Sequence, residues 1–117
     1  MSAPDLALPD PAHCIHKRLV LDLAHLLRGR IAVVACDGTV QPLASVAKAL
    51  KFPDFYGRNW DAMDECLRGL DAWWPANGWV LEVAAARGPA WRQLDDCWHH
   101  AAEVHAAAGR SLHLNYL

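Results

Sequence analysis

Residues 31–36 read IAVVAC, six apolar side chains in a row that stop at Asp37-Gly38. An amphipathic helix, or a strand with one wet face, would interrupt such a run with polar residues. A continuous run rich in β-branched side chains is what a strand covered on both faces needs. A second run, GWVLEVAAA at residues 78–86, follows the turn signal Asn77-Gly78 and reads the same way. SLHLNYL, residues 111–117, alternates and reads as a third strand.

Helical patterns separate these runs. In PLASVAKALK, Pro42 opens a helix, Leu43, Val46, Ala47 and Leu50 share a stripe, and Pro53 lies beyond its end. From Pro89 to Gly109, Trp91, Leu94, Trp98, Ala101 and His105 fall on one face, with Gly109 at the stop. Earlier, Leu19, Leu23, Leu26 and Leu27 have helical spacing before Gly29, while Leu19, Leu21 and Leu23 also alternate as a strand would. Both readings of that stretch stay open. Residues 1–12 hold three prolines and little pattern, which reads as a loose tail.

Strands divided by helices imply right-handed crossovers and a parallel sheet. The expected fold is a small α/β domain, with a three-stranded parallel sheet packed by helices. A length of 117 residues suits one domain with one core. Although 54% of the residues are hydrophobic, no run approaches the roughly 18 residues a membrane span requires. LVLDLAHLL comes nearest and is broken by Asp22 and His25. No basic stretch leads into a clean apolar run at the N-terminus, so a cytoplasmic location is expected. A net charge of −2 argues against general nucleic-acid binding. Cys14, Cys36, Cys66 and Cys97 are far apart and form no CxxC motif, so reduced, buried thiols are expected.

The charge is unevenly spread. Between residues 54 and 71 stand five acids (Asp54, Asp61, Asp64, Glu65, Asp71) against two bases (Arg58, Arg68), a net of −3 in a chain of −2. Gly57 follows two aromatic residues and suits a positive φ or a close backbone approach. Asn59 is a good N-cap for a helix from Trp60 to about Leu70. Trp60, Met63, Leu67 and Leu70 form its apolar stripe, with Asp61, Asp64, Glu65 and Arg68 on the other side. Asp61 and Glu65 lie one turn apart and repel by a few tenths of a kcal/mol. Taken alone, the segment reads as a solvated helix face with a capped start, since charged outer faces are common.

The stretch LKFPDFYGRNWDAMDECLRGL, residues 50–70, resembles the signature of the barstar-like family of intracellular ribonuclease inhibitors. It carries that family's aromatic-Tyr-Gly-x-Asn-aromatic/Leu-Asp-Ala-x-x-x-Cys-Leu pattern. WVLEV and LHLNYL extend the resemblance more weakly toward the C-terminus. It implies a domain over residues 30–117, preceded by an extension over residues 1–29. It also implies an immunity-type inhibitor, not an enzyme, whose partner is a secreted or toxin-type basic ribonuclease of the barnase kind. Carried over by position, the partner-binding residues would be Phe55, Gly57, Asn59, Asp61 and Glu65. Tyr56, Arg58 and Asp64, in the same loop and helix, are expected to share the partner-binding surface. No catalytic residue, cofactor, metal, membrane or direct nucleic-acid contact is implied.

The chain departs from the family pattern at informative places. Phe55 lacks the hydroxyl of the family's tyrosine, and Glu65 is one methylene longer than its aspartate. Asp64 stands where the family has tryptophan. Val104 occupies the place of a late glutamate, with Glu103 one residue away. These changes bear on which enzyme is bound and on whether the last helix takes part.

Other readings compete. The same fold could serve as an interaction or regulatory module for a protein that is not a nuclease. A small metal-dependent enzyme would draw on Cys97 and His100 at i, i+3, with His99, Cys14 and His16 nearby in sequence, but structural zinc needs about four paired ligands. His105 reads as a core histidine. His113, between Leu112 and Leu114, is expected to face solvent or a partner at the sheet. Trp73, Trp74 and Trp79 read as core cover, with a share in a binding surface left open.

Overall fold

A computed structural model describes residues 5–54 and 56–117. Four strands form one sheet: β1 (Ile15–Lys17), β2 (Ile31–Asp37), β3 (Gly78–Ala84) and β4 (Ser111–Tyr116). The four helices are α1 (Leu23–Gly29), α2 (Pro42–Ala49), α3 (Trp60–Arg68) and α4 (Ala90–Ala107). Short 3-10 turns lie at Pro11–His13 and Leu70–Ala72. The strand order is β1-β4-β3-β2, and every neighbouring pair is parallel. The expected parallel α/β class holds, with four strands rather than three. The added strand is a three-residue edge segment, Ile15-His16-Lys17, paired with Leu114, Asn115 and Tyr116. It is too short and too polar to carry a strand pattern, and its partner supplies most of its register.

The two apolar runs take different places. β3 is central, and Trp79, Val80, Leu81 and Val83 are all fully buried. IAVVAC becomes the outer strand β2, where Val33 is 41% exposed. Double-sided burial therefore holds for β3 and not for β2. β4 is buried from Ser111 to Asn115, with β1 closing its outer side.

Side-chain alternation divides the sheet between two layers. Trp79, Leu81 and Val83 of β3 and Leu112 and Leu114 of β4 pack with Val46, Leu50, Met63, Leu67, Leu94 and Trp98 from α2, α3 and α4. Val80 points the other way and joins Leu6, Leu26 and Ile31 in a smaller cluster, with Leu19 and Leu21 against it. Residues 19–29 resolve as helix from Leu23 onward, capped by Asp22, whose carboxylate accepts from the backbone N–H of Ala24 at 3.0 Å. The left-handed residue that ends α1 is Arg30, φ 56°, and not the expected Gly29.

Two buried histidines are satisfied by the chain itself. His105 matches its expected core role, at 0% exposure. His113 does not face solvent or an outside partner: it is 3% exposed and lies against residues Leu6 and His16. The pattern Leu-His-Leu could not reveal that an earlier segment folds over it. Cys14, Cys36 and Cys66 are buried free thiols, and Cys97 is half-buried.

Candidate functional site

α3 is set by its cap and its buried stripe. The Asn59 side-chain oxygen accepts from Ala62 N–H at 2.8 Å, filling the N-cap role its sequence position predicts. Met63, Cys66 and Leu67 are buried, and Trp60 is half-buried against the same core. The helix ends at Arg68, and the chain continues through Gly69 into the 3-10 turn at Leu70–Ala72. Among the described residues of the preceding loop, positive φ falls on Lys51 (57°) and Arg58 (53°), and not on Gly57. Gly57 instead lies close to Asn59: a Cβ there would come within 3.3 Å of its amide nitrogen.

The loop is pinned from the inside. Tyr56 donates its hydroxyl hydrogen to the Leu43 carbonyl at 2.9 Å and meets Phe52 edge-on, with ring centroids 5.0 Å apart. Burial pushes the Tyr56 phenol up to about 12. Phe52 stacks edge-on against Trp73, whose indole N–H reaches the Leu50 carbonyl at 3.0 Å. Lys51 lies over the Trp74 ring at 5.0 Å. Trp73 and Trp74 thus serve the loop's foundation. A cavity of about 470 Å³ beside it is lined by Lys48, Phe52, Pro53, Asp54, Tyr56 and Arg58, among others. Phe55 lies outside the described residues.

The five acids of this segment separate into two groups. Asp64 is held from two sides, by Arg68 Nε at 3.0 Å and by His100 Nδ1 at 2.8 Å from α4. Asp71 meets Arg110 at 3.5 Å. Asp54, Asp61 and Glu65 are exposed and make no ion pair or side-chain hydrogen bond among the described residues. The sequence reading placed Asp64 beside Asp61 and Glu65 on the outer side, and here it needs correction. Its side chain is only 24% exposed, because α4 packs along that flank of α3. Gly57, Arg58 and Asn59 are exposed and continue the surface formed by Asp61 and Glu65.

The i, i+3 spacing of His100 from Cys97 suggests a metal pair in the sequence, whereas in the fold His100 turns to Asp64. Cys14 Sγ does approach His99 Nδ1, at 3.3 Å. Among the described residues no group of three or more histidine, cysteine or acidic side chains is placed to hold a metal ion. Burial raises the Cys14 thiol to about 11 and also raises Cys97, so neither is poised as a thiolate. On α4, Glu103 and Val104 are both exposed. No helix among the described residues is long and apolar enough to cross a membrane.

Fold and surface together define a small parallel α/β domain that presents a capped helix with outward carboxylates unpaired among the described residues. A family model described as Barstar (barnase inhibitor) matches residues 30–116, and the chain belongs to the barstar family. No curated protein and no solved structure matches the chain.

Proposed function

We propose that the chain inhibits a basic ribonuclease by covering its active site with α3 and the loop before it. The reading is carried by one observation: Asp61 and Glu65 stand exposed and, among the described residues, unpaired on a helix whose position is fixed by its cap and core, while Asp64 and Asp71 are paired within the chain. A ribonuclease must gather cationic groups to hold phosphate. Two fixed carboxylates complement that field, speed encounter and disfavour wrong partners. Gly57, Arg58 and Asn59 flank them and would meet the rim of the enzyme's cleft. Tyr56 would act mainly by fixing the loop, since its hydroxyl already serves Leu43. Asp64 would act mainly by joining α3 to α4.

In this role the protein performs no reaction, recruits no cofactor and protects the cell that makes the nuclease, whether secreted or deployed as a toxin. Titration calorimetry against the basic ribonucleases of the same cell tests it. One-to-one binding, with association slowed by salt, is the expected result. Absence of binding to any of them overturns it.

A further inference from the structure

Residues 5–17 wrap the outer edge of β4 and touch both layers of the fold. On one side Leu6 is buried with Leu26, Ile31 and Val80. Ala7 lies over α1 where Gly29 has no side chain, since a Cβ at Gly29 would stand 2.6 Å from the Ala7 methyl. On the other side the Pro11 carbonyl and the Cys14 thiol approach His99 Nδ1 of α4, at 3.4 and 3.3 Å. Directly after Cys14, β1 pairs with β4.

The polar centre of this contact is a histidine pair. His113 Nε2 is 3.1 Å from the Leu6 carbonyl, and His113 Nδ1 is 3.0 Å from His16 Nε2. A carbonyl only accepts, so His113 carries its hydrogen on Nε2 and leaves Nδ1 bare. His16 must then donate from Nε2. A first proton taken by His16 on Nδ1 leaves this arrangement intact. A second proton, on His113 Nδ1, sets N–H against N–H and cation against cation. Asp5, Asp10 and His13 line the same cavity of about 190 Å³, together with His16 and His113. Asp10 is turned to His13, at 2.8 Å. Against this layer the sheet sets Val80 and Ile31, and α1 sets Leu26, none of them charged. The charged or titratable neighbours are Glu82, two residues further along β3 and 3.4 Å from Asn115 Nδ2, and His25 and Arg28 of α1, which share a separate cavity with Asp5.

We propose that residues 5–17 are an acid-releasable strap: the His16–His113 pair holds it on the sheet while carrying at most one proton, and releases it on taking up a second, baring the edge of β4. Burial lowers both histidines, His113 to about 4. A released histidine returns to about 6.5, so the released form binds protons more readily and gains ground as pH falls across that interval. Release stops at the next clamp. Asn115 accepts from Leu19 N–H and donates to the Leu19 carbonyl, both at 3.0 Å, through an amide that does not titrate, and its Nδ2 also stands 3.4 Å from the Glu82 carboxylate. An unpaired β4 edge is a template for another strand, so the strap makes exposure of that edge depend on pH.

Hydrogen exchange read by mass spectrometry, corrected for the intrinsic effect of pH, tests the strap against the sheet. Between pH 7 and about pH 4.5, protection of residues 5–17 should fall at least about tenfold, because each pH unit shifts a one-proton equilibrium by up to that factor. Protection of β3, which the buried His105 also makes acid-sensitive, should fall by less than that of the strap. In His16→Gln the amide donates to neutral His113 and, once flipped, accepts from protonated His113. The acid loss of strap protection should therefore be abolished or moved to lower pH. Loss of strap and β3 together, a strap still protected at the lower pH, or a His16→Gln profile equal to the native one would each overturn the proposal.

Discussion

Nδ1 of His100 on α4 stands 2.8 Å from a carboxylate oxygen of Asp64 on α3. The same carboxylate also meets Arg68 at 3.0 Å. This junction removes one acid from the outer surface and ties the acidic helix to the longest helix of the fold. Both basic partners are more than a third exposed, so screening limits the contribution. Asp64→Ala should therefore cost only about 0.5–1 kcal/mol of stability, a loss of a few degrees in Tm. Its effect on ribonuclease binding should be clearly smaller than that of Asp61→Ala. Thermal melts and calorimetry on the two variants give the comparison; an Asp64 variant that binds worse than the Asp61 variant would reverse the assigned roles.

Asp61 presents the opposite case. It lies in the first turn of α3, is exposed and has no ion-pair partner among the described residues. Its removal loses a favourable dipole contact of about 0.3–1 kcal/mol. It also relieves repulsion from Glu65 of a few tenths of a kcal/mol. Stability should thus stay within about 0.5 kcal/mol of the native protein. If Asp61 enters a phosphate site, binding should weaken by about 2 kcal/mol or more, which is roughly thirtyfold in Kd. A large fall in Tm with unchanged binding would make Asp61 a helix-start residue and nothing more.

These two acids show what could be read in advance. Helix spacing placed Asp61 and Glu65 outward correctly, because the buried stripe through Met63 and Leu67 lies on the far side of the helix. The same wheel placed Asp64 outward too. It carries no information about α4, whose packing decides the fate of a side chain at the stripe's margin. Parallel strands, the cap at Asn59 and the helices were legible for a similar reason: each follows from local pattern. The fourth strand, the strap over His113 and the edge position of β2 depend on which segments meet, and pairing across about 100 residues leaves no local mark. The buried polar residues of β4 were the available hint. His113 and Asn115 sit in an apolar strand because they bind the backbone of Leu6 and Leu19.

The start of β3 offers a test of the packing. Gly78 pairs with both Ile31 and Ser111. A Cβ at this position would stand 2.7 Å from the Ser111 carbonyl oxygen and 2.8 Å from the end of Ile31. Ile31 can shift, but the backbone carbonyl belongs to the central ladder. Gly78→Ala should cost about 1–3 kcal/mol through overpacking, despite the higher β propensity of alanine over glycine. Denaturant titration measures it, and an unchanged midpoint would mean that the two strands part more easily than their register implies.

Acid should weaken the fold through His105 independently of the strap. Its Nε2 donates to the Leu67 carbonyl at 2.8 Å, and its Nδ1 accepts from Arg110 Nε at 3.0 Å. Protonation would place a second N–H against the guanidinium. Burial, the largest influence, lowers the imidazole below its usual 6.5. The unfolded chain then takes up its proton first as pH falls, so this contribution is present above about 6.5 and is lost below it. The slope can reach about 1.4 kcal/mol per pH unit for one proton. In His105→Gln the amide can donate to Leu67 and accept from Arg110 without titrating. That variant should be less stable at neutral pH, where the ring's packing against Trp79 is lost, yet lose less between pH 7 and about pH 5. Denaturant midpoints at both pH values decide the matter. Equal acid losses in native protein and variant would place the pH dependence elsewhere, with His16 and His113 the first groups to examine.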